Sequence, residues 1–378
     1  MAHQPFSISH PHVLAMILDD PTHEHLLVAL FAAFLSAILV AGWRLLSRHR
    51  PIIRDVKTEY PSTDIVGNFQ HNIYPRIETR KGGPLARASE GKTLLITGAS
   101  KGVGRSIAIM HAHTRPKCII LIARSIPSLD SVASELAAID SEIRIIKASV
   151  DVCDSKAVST FFKNLWYVEK VGRIDVLFAN AGYLEPIVPF AQQDISLWTK
   201  AINTNVMGVA VVTHEFLRHN FAAVGGNPDG TTEDKNKKAL QNATIIITSS
   251  IGAALTFPGC SAYQPSKTLI NRFCEFLDAE YGAASSFGAD GLRTFCFHPG
   301  GIPTDLAQNM PKFILDHWRD NGHDSPDLSG GFTAWLLTPE ADFLRGRYAS
   351  ATWDVDSLLQ KKQEILDGDL LKVNIRMK

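Results

Sequence analysis

The chain has no net charge: Lys and Arg together number 38, as do Asp and Glu. A composition so balanced gives no global basic field to draw nucleic acid and no acidic excess to keep the chain unfolded. Cysteine is scarce. Cys118, Cys153, Cys260, Cys274 and Cys296 are scattered, with no C-x-x-C pair. That spacing excludes a disulfide framework and a cysteine zinc site, and it suits a reducing compartment. His3, His10, His12, His23 and His25 crowd the N-terminus, with no cysteine among them. They read as a solvated tail, and no metal is expected. There is no internal sequence repeat.

What the chain does have is apolar residues, 45% of the total, enough for a sizeable core. Part of this is one uncharged run, Leu26 to Trp43, extended by Leu45 and Leu46 beyond Arg44. A helix over 26–46 would reach about 30 Å, the thickness of a bilayer's hydrocarbon core. No Lys or Arg precedes the run, which argues against a cleaved signal peptide. Asp19, Asp20 and Glu24 lie before it, and Arg44, Arg48, Arg50, Arg54 and Lys57 after it. Positive flanks stay cytoplasmic, so a single-pass anchor with a cytosolic C-terminal part is expected, in the endoplasmic reticulum or another membrane. The organisation reads as a tail (1–25), a transmembrane helix (26–46), a proline-rich linker that could pack on the domain (47–90), a catalytic domain (91–360) and a C-terminal tail (361–378).

From Lys92 onward short Ile-, Leu- and Val-rich runs alternate with longer helix-like stretches. The strand candidates are 93–97, 118–123, 143–149, 174–179, 244–249 and 292–297, with a weaker seventh near 348–353. They lack clean alternation, as strands buried on both faces do. Such a rhythm predicts an α/β fold with a parallel sheet flanked by helices. The polar stretch 225–242 interrupts it and reads as an exposed loop. Its Asn242-Ala-Thr244 sequon should stay unused on the cytosolic side.

The first strand runs into "TLLITGASKGVGR". Gly98-Ala-Ser100-Lys-Gly102 fits the G-x-S-x-G elbow of a serine hydrolase, but no earlier strands exist to build that enzyme's sheet. A dinucleotide site needs a first strand, glycines opening a helix and a second strand roughly 20 residues on, and all three are present. The spacing Thr97-Gly98-x-x-x-Gly102-x-Gly104 resembles the short-chain dehydrogenase/reductase family. Its companions follow in order: Asn180-Ala-Gly182, Ser249-Ser250, Tyr263-Gln-Pro-Ser-Lys267 and Pro299-Gly300. The resemblance covers residues 92–305. The family's Asp-Gly-Gly after the last strand is replaced by Trp353-Asp354-Val355, which leaves the end of the sheet open.

The resemblance implies a Rossmann-type doubly wound sheet of about seven strands and an oxidoreductase that interconverts a carbonyl and an alcohol. A free tyrosine is a sluggish donor at neutral pH. A lysine four residues on lies one helical turn away, and its charge favours tyrosinate. Tyr263 is thus expected as the general acid or base, with Lys267 lowering its pKa and, as the family implies, holding the nicotinamide ribose. Ser250 would orient the carbonyl, with Ser249 as a structural neighbour. Asn205 matches the family's water-holding asparagine. Cys260 reads as a packed bystander.

The same resemblance assigns cofactor contacts to Thr97, Gly98, Ser100, Lys101, Gly102, Val103, Gly104, Asp151, Val152, Asn180, Ile302 and Thr304, besides Tyr263 and Lys267. At the end of the second strand Ala123 stands where an NAD binder carries an acid, followed by Arg124. With Lys101 in the turn, these charges favour NADP over NAD, because guanidinium can grip the 2′-phosphate that a carboxylate would repel. An anchored enzyme suggests a lipophilic substrate of steroid, lipid, polyketide or terpenoid type, read by the segment 302–330 with its apolar "FILDHW". A homodimer or tetramer through the family's fourth and fifth helices is also implied. The alternative is a non-catalytic scaffold or nucleotide sensor on the same fold, against which the complete Asn205, Ser250, Tyr263 and Lys267 set stands.

Overall fold

The computed structural model describes residues 65–225, 239–283, 291–310 and 312–375. The apolar run 26–46 lies outside them. Among the described residues no helix is long and apolar enough to cross a membrane.

Seven strands form one parallel sheet: β1 (Thr93–Thr97), β2 (Cys118–Ala123), β3 (Arg144–Ser149), β4 (Val176–Ala179), β5 (Thr244–Thr248), β6 (Arg293–His298) and β7 (Arg347–Ser350). Their order is β3-β2-β1-β4-β5-β6-β7. The chain leaves β1, at the centre, for one edge and returns through β4 to build the other half. The gap between β1 and β4 is therefore a topological switch point, where α/β sheets bind ligands at their carboxyl ends. β7 pairs in parallel with β6, from Phe295 opposite Arg347 to His298 opposite Ser350. The departure from Asp-Gly-Gly leaves the sheet intact. Instead Asp354 caps the next helix by accepting from Ser357 N at 2.9 Å.

The strands read as continuous apolar runs because both faces are covered. Leu94 and Ile96 of β1 join one core with Ile119 and Leu121 of β2, against α1 (Gly102–Ala112), α2 (Ile126–Ile139) and α8 (Pro326–Leu336). Leu95, Ile120 and Ile122 join the other, against α3 (Ser155–Tyr167), α5 (Gly208–Ala223) and α6 (Tyr263–Tyr281). The remaining helices are α4 (Ile195–Ile202), α7 (Lys312–Asn321), α9 (Val355–Gln360) and α10 (Lys362–Asp367), the last two adding Val355, Leu358 and Ile365 to the first core. Polar side chains fix several helix starts. Asp154 accepts from the N–H groups of Lys156 and Ala157, both at 3.0 Å, and Ser325 precedes Pro326 at the first turn of α8. Each such cap contributes about 1 kcal/mol.

The fold continues on both sides of 91–360. The stretch from residue 65 to 90 is a packed strap. Phe69 bridges to Trp353, Ile77 and Thr79 are fully buried, and the Ser89 hydroxyl meets His111 Nδ1 at 2.7 Å. His111 is sealed inside, and its Nε2 lies 3.1 Å from a second hydroxyl, that of Thr333.

Beyond residue 360, Ile365 of α10 is buried and Tyr348 N donates to Leu371 O at 2.9 Å. The polar loop expected over 225–242 differs at its end: Ala239 and Leu240 are fully buried, and 226–238 lie outside the described residues.

Candidate active site

The glycine turn follows from close packing at the carboxyl end of β1. Gly98 and Gly102 have φ of +63° and +56°, a region that side-chain-bearing residues seldom adopt. At Gly104 a Cβ would lie 2.4 Å from Gly98 O and 2.6 Å from Asn180 Nδ2. Helix α1 starts here with Lys101 as its N-cap, and no side chain caps it. Its first N–H groups and dipole thus face the switch point, an arrangement that suits an anion. Ser100 and Val103 are half-buried in the same turn.

Thr97 and Asn180 tie this turn to the neighbouring strands. The Thr97 hydroxyl accepts from Asn180 N at 2.8 Å and Ala181 N at 2.9 Å. Asn180 Nδ2 donates to Thr97 O at 3.1 Å, and Thr248 Oγ1 donates to Asn180 Oδ1 at 3.1 Å. Asn180 therefore links the ends of β1, β4 and β5. Ile302 is buried in the turn after β6, and Thr304 Cγ2 lies 3.0 Å from where a Gly102 Cβ would be. Thr304 is thus brought to the glycine turn.

The charged residues expected at the 2′-phosphate are exposed. Arg124 follows β2 and has no ion pair among the described residues. Lys101 pairs with Asp305 in the turn after Thr304. Asp151 accepts from Cys153 N at 2.9 Å, and Val152 is buried against Gly208, where a Cβ would meet it at 2.7 Å.

The second cluster lies at the ends of β5 and α6. Ser249 donates to Asn271 Oδ1 at 2.6 Å and is structural, as expected. Ser250 accepts from Gly252 N at 3.0 Å and hydrogen-bonds the Tyr263 phenol. Lys267 is buried. Its Nζ donates to Thr248 O at 2.7 Å and lies 5.5 Å from the centroid of the Tyr263 ring. Asn205 is fully buried in a π-helical turn, Asn203–Met207, between α4 and α5. Such turns are frequent at functional sites. Its side chain accepts from Tyr183 N at 2.8 Å and donates to Tyr183 O at 2.9 Å and Ser266 Oγ at 3.0 Å.

Electrostatics here differ from the sequence expectation. Burial pushes Tyr263 up to about 12, and the Ser250 hydrogen bond pulls the other way. Burial also pushes Lys267 down to about 8. Loss of water outweighs the help the ammonium was expected to give, so the phenol stays protonated near neutral pH. Burial likewise pushes the Cys260 thiol up to about 12, which makes it unreactive.

One participant escaped the sequence reading. Glu185 is fully buried, and its carboxylate accepts from Ala262 N at 2.9 Å and Tyr263 N at 3.1 Å. The signal was an acid within the otherwise apolar "YLEPIV".

A sequence model described as short chain dehydrogenase matches residues 92–314. The chain is 34% identical over 318 residues to the short chain dehydrogenase mpl6 of Monascus purpureus, covering 82% of this chain and 96% of that one. The same identity and coverage relate it to the short chain dehydrogenase citE of Monascus ruber. A short chain dehydrogenase of Shigella flexneri, solved complexed with NADP, superposes with a TM-score of 0.56 at 22% identity, over 70% of this chain and 99% of that one. That likeness shows the fold. The glycine turn, the tyrosine–lysine pair and the sequence relatives converge: the chain belongs to the short-chain dehydrogenase/reductase family of nicotinamide-dependent oxidoreductases.

Proposed function

We propose that this chain is an NADP(H)-dependent reductase that interconverts a carbonyl and an alcohol on a lipophilic substrate. The observation that carries the reading is a buried phenol hydrogen-bonded to Ser250 beside Lys267, joined through Thr248 and Asn180 to a glycine turn with an open helix end.

Thr97, Gly98, Gly102, Gly104 and Asn180 would hold the dinucleotide's phosphates and its neighbouring backbone, with Ile302 and Thr304 alongside. The bound nicotinamide would supply or accept the hydride. Ser250 would donate to the carbonyl oxygen, and Tyr263 would deliver its proton to that oxygen as negative charge develops there. In oxidation the Tyr263 phenolate oxygen would take that proton from the substrate alcohol. Lys267 would offset the charge on the phenolate. Asn205 holds the start of the substrate-side loop against α6 through Tyr183 and Ser266.

Arg124 and Lys101 support NADP by charge, as does the NADP bound to the Shigella protein. The apolar stretch 26–46, uncharged from Leu26 to Trp43, supports a membrane anchor with the catalytic domain in the cytosol, and an anchor favours substrates that partition into lipid. Exposed Met207 next to α5, and Leu269 and Phe276 on α6, support pairing of copies through these helices. A panel of lipophilic ketones and aldehydes tests the reading through absorbance of reduced nicotinamide. NADPH oxidation with at least one of them is expected. Oxidation with NADH alone would overturn the cofactor assignment.

A further inference from the structure

The start of α6 carries Tyr263, yet it has no cap of its own. Its N-cap, Ala262, has no side chain to offer. Ser261 Oγ, just before it, is buried without a partner. The N–H groups of Ala262 and Tyr263 are satisfied instead by Glu185, from the loop after β4 and 77 residues away from Ala262. A hydroxyl or amide would satisfy two amides at far smaller desolvation loss than a fully buried carboxylate. The choice of a charged group thus calls for a role beyond capping.

We propose that Glu185 is a positioning residue for Tyr263: its carboxylate seats the first turn of α6 so that the phenol meets Ser250, and its charge opposes formation of tyrosinate. This rests on the reading of Tyr263 as the proton donor. The titratable and charged groups facing the phenol are Cys260 before α6, Glu185 after β4, Tyr348 on β7 and Lys267 on α6. Burial pushes both Cys260 and Tyr348 upward, which leaves them neutral. Glu185 and Lys267 are then opposing charges around one phenol. The carboxylate also raises the phenol, alongside burial.

The position of Glu185 makes this one linkage. Asn180 Nδ2 holds the glycine turn, Tyr183 holds Asn205 and Glu185 holds Tyr263. A single short segment therefore references the proton donor to the nucleotide turn.

The test is a titration of Tyr263 in the full-length protein. Tyrosinate absorbance is read within milliseconds of an alkaline pH jump, before unfolding, and the trace of the matching Tyr263→Phe protein is subtracted. Glu185→Gln should lower the midpoint by roughly half to one pH unit, as loss of a nearby negative charge requires. Glu185→Asp keeps the charge, so its midpoint should stay with the wild type while the amides of Ala262 and Tyr263 exchange faster. A Gln midpoint equal to or above the wild type overturns the proposal. Should the Gln protein not fold, a fall of the Asp midpoint by the same amount overturns it. Unchanged carbonyl reduction by Tyr263→Phe would instead sink the acid–base reading, and it leaves these midpoints unaffected.

Discussion

Two of the helices that begin at the carboxyl end of the sheet are finished in opposite ways. Helix α1 starts at glycines, with Lys101 as an N-cap that offers no side-chain bond. Helix α6 starts at Ala262, and a buried carboxylate from another loop closes it. The same partial positive charge is left open to an anion in one case and quenched by the protein in the other. The difference divides the labour: α1 is shaped for phosphate, whereas α6 is shaped to hold one phenol still and protonated.

The largest effect that would break this comparison is at Gly104. Gly104→Ala drives a methyl into Gly98 O and the Asn180 amide, so the turn must open. We expect about 1–3 kcal/mol of destabilisation by chemical denaturation and roughly a 100-fold loss of kcat/KM from misplacement. Unchanged nucleotide affinity by fluorescence titration would show that the open helix end is not the phosphate site.

At α6 the sharper test is Lys267→Met. Burial lowers this lysine from 10.5 to about 8. A lowered pKa means stability that is present above the unfolded value and lost as pH falls through the folded value. At neutral pH the wild type therefore carries a buried-charge penalty that methionine removes. Turnover should fall roughly tenfold to 100-fold while the Tm rises by about 2 °C at pH 7. The gain should vanish above pH 10.5, where the unfolded lysine is neutral too. A lower Tm at neutral pH would contradict this.

The smallest effect concerns charge beside α1. Arg124→Asp should weaken NADPH roughly tenfold relative to NADH, the size of one lost charge-assisted contact. An unchanged preference measured by steady-state kinetics would move the 2′-phosphate site elsewhere.

Much of this architecture was legible in the sequence. The strands at 93–97 and 118–123 have the predicted bounds, the next four shift by one or two residues and the seventh ends three residues early; strands covered on both faces are written as plain apolar runs. The glycine turn and the Ser250, Tyr263 and Lys267 set were legible because each sits at a fixed offset from a strand or helix end. The strap at 65–90 was harder to see: Ile77 and Thr79 are buried from a 3-10 turn and its flank, without the periodicity of a helix or strand. Glu185 was hidden for a different reason. It caps a helix far along the chain, and no local pattern records a contact made only in three dimensions. The shift of Tyr263 was misjudged because spacing gives the neighbour's charge and not the burial that outweighs it.

The most direct measurement of the central claim compares wild type and Tyr263→Phe for NADPH binding by fluorescence and for NADPH oxidation with a reducible carbonyl. The account predicts unchanged binding and a rate lowered roughly 100-fold or more, the share a positioned proton donor supplies. Retained turnover with retained binding would contradict it.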